Sequence, residues 1–64
     1  MDIENLLNEL KHLIYTEGVS ELRIITTEQG EEVEILVDTF EAKNRIIDYV
    51  NQWPEMAEYI VVTL

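Results

Sequence analysis

The sequence predicts an α+β domain: a two-layer αββαβ sandwich in which a three-stranded sheet of order 2-1-3 carries two helices on one face. Three observations lead there. Apolar residues recur at three-and-four spacing near the start of the chain and again around residue 46, marking two amphipathic helices. Between them, two β-type runs flank one of the chain's two glycines, as in a hairpin. After the single proline comes a short β-branched tail. A chain of 64 residues forms one domain (1–64). A lone core of this size supplies roughly 3 to 5 kcal/mol of stability.

The first helix is expected at about residues 3 to 16. Ile3, Leu6, Leu7, Leu10, Leu13 and Ile14 fall on one stripe, with Glu4, Asn5, Asn8, Glu9, Lys11 and His12 elsewhere. Asp2 can accept hydrogen bonds from the first unpaired amides, and Gly18 can adopt the left-handed conformation that ends a helix.

The hairpin joins Glu21–Thr27 to Glu32–Val37 through Glu28-Gln29-Gly30-Glu31. A two-residue loop at Gln29-Gly30 pairs Ile24 with Ile35 and Leu22 with Val37. A four-residue loop pairs Ile24 with Val33 and Leu22 with Ile35. Both keep the apolar set on one face, whereas a three-residue loop sets Arg23 opposite Ile35 and is disfavoured.

Asp38-Thr39-Phe40-Glu41 has capping-box spacing and opens a second helix at roughly 40 to 53. Its stripe is Phe40, the stem of Lys43, Ile46, Ile47, Val50 and Trp53, and Pro54 stops it. Glu58–Leu64 is apolar on both faces, as in a strand partly buried on each side or one that pairs with something else. A right-handed crossover parallel to strand two would set this last strand beside strand one. Strand two then has a free edge lined by Glu32, Glu34 and Asp38, charges that oppose edge-to-edge association.

Fourteen Asp and Glu against four Lys and Arg give a net charge of -10. The 47% hydrophobic content separates the chain from disordered acidic sequences. Such a field repels nucleic acid and anionic lipid, so the expected partner is a basic protein, with no direct nucleic-acid or membrane contact. The absence of Cys excludes disulfides, thiolate chemistry and Cys-type zinc. Apolar runs are too short for a bilayer span, and Met1 is followed by Asp2 and Glu4 rather than by basic residues, so a cytoplasmic protein is expected.

Chemistry is sparse. His12 and Ser20 are the only residues of their types, and no glycine loop near Ser20 offers an oxyanion site. His12 lies off the apolar stripe and reads as a surface residue. The many carboxylates lack the desolvated pocket that general acid catalysis needs. Glu28, Glu31, Glu32 and Glu34 do not follow the alternating Asp/Asn pattern of a calcium loop. No catalytic residue, metal ligand or cofactor is therefore expected.

The charge is unevenly placed. Residues 27–41 carry -6 and include no Lys or Arg, while the other forty-nine carry -4. Solubility and edge protection explain this as readily as a binding role does. The binding role is phosphate mimicry: alternate strand residues lie about 6.6 to 6.8 Å apart, which approaches the spacing of successive phosphates on a nucleic-acid strand.

Met1–Lys11, Leu22-Arg23-Ile24-Ile25 with Gly30-Glu31-Glu32, and Ile46-Ile47-Asp48-Tyr49-Val50 with Trp53 resemble the small acidic phage anti-CRISPR proteins that inhibit type II RNA-guided nucleases. The resemblance spans about fifty residues of element order. It implies a non-enzymatic DNA mimic that occupies the basic site where the nuclease reads its short duplex signal, acting in the bacterial host cell. By position, it places partner contacts on Glu28, Glu31, Glu32 and Glu34, with Glu55 and Glu58 after the second helix; Asp38 extends the same acidic run. The alternative is a homo-oligomeric structural or regulatory module in which Tyr59–Leu64 pairs across a two-fold axis to form a homodimer. A divalent-metal binder is the third reading.

Overall fold

A computed structural model describes residues 2–13 and 18–64. The elements are α1 (Ile3–Leu10), β1 (Val19–Thr27), β2 (Gly30–Val37), α2 (Phe40–Val50), α3 (Pro54–Ala57) and β3 (Ile60–Thr63). The fold is α+β with a three-stranded mixed sheet.

Asp2 caps α1 as expected, its carboxylate accepting the Glu4 amide at 3.0 Å. The helix is shorter than its apolar stripe. Leu10 is its last residue, and the Lys11 amide is shared between the carbonyls of Leu7 at 3.1 Å and Asn8 at 3.4 Å, a tightened final turn. Ile14 and the expected continuation to residue 16 lie outside the described residues. Gly18 has the expected positive φ of 75°.

In the hairpin, Ile24 faces Val33 and Leu22 faces Ile35, the register of the longer-loop alternative. Pairing continues to Thr27 opposite Gly30, which leaves Glu28 and Gln29 as the turn. Gly30 has φ of 116°, a region other residues adopt at a cost. The Thr27 hydroxyl accepts the Gln29 amide at 3.1 Å, with the Gly30 carbonyl at 3.1 Å and Glu32 Oε2 at 2.9 Å as alternative acceptors for its own proton.

The sheet order is β1-β2-β3, with β3 parallel to β2 from Val33 opposite Ile60 to Leu36 opposite Thr63. This corrects the expected 2-1-3 order. β2 and β3 are consecutive strands joined through α2 and the one-turn α3 in a βαβ-type unit, so the crossover reaches the neighbouring strand directly. A place beside β1 would have left β2 at the rim, although Val33, Ile35 and Val37 are at most 5% exposed. The expected free edge of strand two does not exist either. Glu32 and Glu34 project from the open face of a middle strand, Asp38 follows its end, and edge protection no longer accounts for them.

α1 and α2 cover the other face. Leu6 and Leu10 from α1, with Leu13 beyond it, meet Val33, Ile35 and Val37 of β2 and Ala42, Ile46 and Val50 of α2 in one core. Leu22, Ile60 and Val62 pack against its rim.

Three details of α2 differ from expectation. Its cap is Thr39 rather than Asp38, with Thr39 Oγ1 accepting the Ala42 amide at 3.1 Å. Thr39 has the extended backbone a cap requires, with φ of -142° and ψ of 162°, so the helix starts one residue later than a capping box from Asp38 would set it. Phe40, expected on the buried stripe, is 68% exposed, because the buried face of α2 runs through Ala42, Ile46 and Val50 and Phe40 lies off it. The helix ends at Val50, and Pro54 opens the one-turn α3 instead of leading straight into a strand. Trp53, also expected on that stripe, is exposed instead and packs against the exposed Tyr49, ring centroids 4.9 Å apart. β3 begins at Ile60 rather than Glu58, and all four of its residues are half-buried, as a strand apolar on both faces requires.

Candidate functional site

Side chains alternate along β2, so Val33, Ile35 and Val37 enter the core while Glu32, Glu34 and Leu36 occupy the open face. The antiparallel register sets Ile25 beside Glu32 and Arg23 beside Glu34, and the parallel one sets Val61 beside Glu34. The acidic residues therefore meet different surroundings despite their closeness in sequence.

Glu34 is held on both sides. Its carboxylate forms an ion pair with the Arg23 guanidinium, and Thr63 Oγ1 donates to its other oxygen at 3.4 Å. Its side chain is 14% exposed. A carboxylate already matched by a cation contributes little outward field. The row of alternate free carboxylates expected along strand two thus stops at Glu32.

Among the described residues, no Lys or Arg forms an ion pair with the carboxylates at the hairpin end. Glu28 and Glu31 are exposed, and Glu32 is half-buried beneath the Thr27 hydroxyl. Parallel pairing of β3 brings Glu58 to the same place, because the Val33 amide donates to the Tyr59 carbonyl at 2.8 Å. Gln29, Glu31, Glu32, Glu58 and Tyr59 line an open recess of about 220 Å³. Three carboxylates from two distant stretches of chain thus share one concavity. Among the described residues, no three carboxylate or imidazole groups are arranged to hold a metal ion.

The remaining candidates are elsewhere. Asp38 is exposed past the far end of β2, about 25 Å from Gly30 at the strand rise. Glu55 is exposed on α3 and does not line the recess. His12 is exposed. Gln29 and Tyr59 line the recess without having been singled out in the sequence. Pairing of the last strand with β2 was the signal that would have brought Tyr59 to Glu32.

Among the described residues, no helix is long and apolar enough to cross a membrane. The chain matches no protein-family model, no curated protein and no solved structure.

Proposed function

We infer that this protein is a non-enzymatic inhibitor of a basic nucleic-acid-binding protein, presenting its acidic hairpin tip where that protein would take up DNA. The favoured target is a type II RNA-guided nuclease, as the resemblance to phage anti-CRISPR proteins implies, and the site of action is the bacterial cytoplasm. The supporting observation is the gathering of Glu31, Glu32 and Glu58 around one recess, with Glu28 beside it on the turn.

The physical basis is electrostatic. An acidic concavity on a rigid hairpin steers a cationic groove toward it and pairs with Arg through charge-assisted hydrogen bonds. When its hydroxyl donates to Glu32 rather than to the Gly30 carbonyl, Thr27 holds the Glu32 carboxylate before the partner arrives, which lowers the ordering cost of the contact. Glu34 and Asp38 contribute less, the first because Arg23 matches it and the second because it lies at the other end of the strand. Replacing Glu31, Glu32 and Glu58 by Lys tests the reading: binding is lost while the circular-dichroism spectrum is kept. Undiminished binding by that variant would overturn it.

A further inference from the structure

β3 is an outer strand of the sheet, and it lacks the features that guard the other one. β1 carries Glu21, Arg23 and a register shift between Val19 and Glu21, all of which discourage a further strand from pairing. Ile60-Val61-Val62-Thr63 has no charge and no proline, and its register with β2 is unbroken. Among the described residues β3 pairs with β2 alone. Since the Val33 amide bonds to the Tyr59 carbonyl, the parallel ladder turns the main chains of Tyr59, Val61 and Thr63 toward β2. The N–H and C=O groups of Ile60 and Val62 project from the open edge.

The side chains of those two residues also line an apolar recess of about 210 Å³, completed by Ile47, Val50, Asn51 and Ala57. An added strand would lower alternate side chains toward this recess while its main chain bonds to the edge. In strand addition, main-chain bonds supply affinity and such pockets supply specificity.

Charge selects the occupant. From Ile46 to Leu64 the chain has Asp48, Glu55 and Glu58 and no Lys or Arg, and the recess of Glu31, Glu32 and Glu58 adjoins the start of β3. A second copy would bring a charge of -10 against -10. A basic segment brings the opposite sign. We propose that β3 takes up an extended basic segment of the partner by strand addition, an apolar side chain entering the Ile47–Val62 recess and a Lys or Arg reaching Glu58. This rests on the reading of the partner as a basic protein and names how such a partner is gripped.

The probe is a capped peptide of about eight residues that alternates Val and Thr and ends in two Arg, titrated into the ¹⁵N-labelled protein. The Ile60 and Val62 amides should shift, and their exchange with solvent should slow by roughly tenfold or more at saturation. Methylating one set of alternate peptide amides should weaken binding by about tenfold or more, while methylating the other set is tolerated. Val62→Pro, which removes an outward N–H but no bond to β2, should weaken binding equally. If that variant folds poorly, the methylated peptides still decide the matter on the unaltered chain.

Equal affinity of both methylated peptides would overturn strand addition, as would absence of binding or a concentration-dependent dimer that protects Ile60 and Val62 without peptide. Methylation-sensitive binding that survives Glu31, Glu32 and Glu58 all becoming Lys would support strand addition at the edge but overturn the contact with Glu58 and remove the acidic-tip reading. Salt-sensitive binding indifferent to methylation would do the reverse.

Discussion

Arg23 lies directly opposite Glu34 on the open face of the sheet, and their side chains form an ion pair across the β1–β2 ladder. The pair divides the acidic run. Glu34 is spent on holding two strands together, and the outward charge gathers at the hairpin end, where Glu58 arrives from a different part of the chain.

A double-mutant cycle on Arg23→Ala and Glu34→Ala, followed by urea denaturation, should return a coupling energy of about 0.5 kcal/mol. Cross-strand charge pairs are worth a few tenths to 1 kcal/mol, and Arg23, 54% exposed, is screened by solvent. The coupling should shrink in high salt. Glu34→Ala should alter partner binding less than Glu31→Ala.

Thr39→Ala should destabilise the domain by about 1 kcal/mol, because it leaves the Ala42 amide without its acceptor. Asp38→Ala should cost only a few tenths of a kcal/mol, the level of an ordinary surface change. Thermal melts of the two variants test which residue caps α2. Equal destabilisation by both would restore the capping box that begins at Asp38.

Ile35→Ala should remove most of the folded population. Ile35 is 0% exposed beneath both helices, and truncating such a residue costs about 2 to 5 kcal/mol. A domain of this size has roughly that much stability in total. Leu36→Ala, on the open face of the same strand, should cost markedly less. Far-UV circular dichroism against temperature distinguishes them.

Periodicity made much of this legible. The three-and-four spacing of Leu6, Leu10 and Leu13 placed the α1 side of the core, and the alternation of Val33, Ile35 and Val37 placed the β2 side. Strand order was not legible in the same way, because both orders turn identical side chains inward and differ only in which strand is central. A clue existed in Val33, Ile35 and Val37, an unbroken apolar inner face, whereas β1 interrupts its own with the polar Thr26. The Arg23–Glu34 pair was implicit in one of the two hairpin registers. The proximity of Glu58 to Glu31 and Glu32 depends on the parallel pairing of β3 with β2, a contact across more than twenty residues that no local pattern encodes. Phe40 was misplaced because the stripe was drawn through it instead of through the small Ala42, whose four-residue spacing with Ile46 and Val50 marks the buried face.

The central claim is that the carboxylates at the hairpin end take the place of DNA on a basic protein. Its most direct test is binding of a signal-bearing DNA duplex by a guide-loaded type II nuclease, measured at low and physiological salt with increasing amounts of this protein. The account predicts displacement of the duplex that weakens as salt rises and is lost when Glu31, Glu32 and Glu58 are all replaced by Lys, while Asp38→Lys displaces nearly as well as the unaltered chain. Undisturbed duplex binding, or equal displacement by the triple Lys variant, would contradict it.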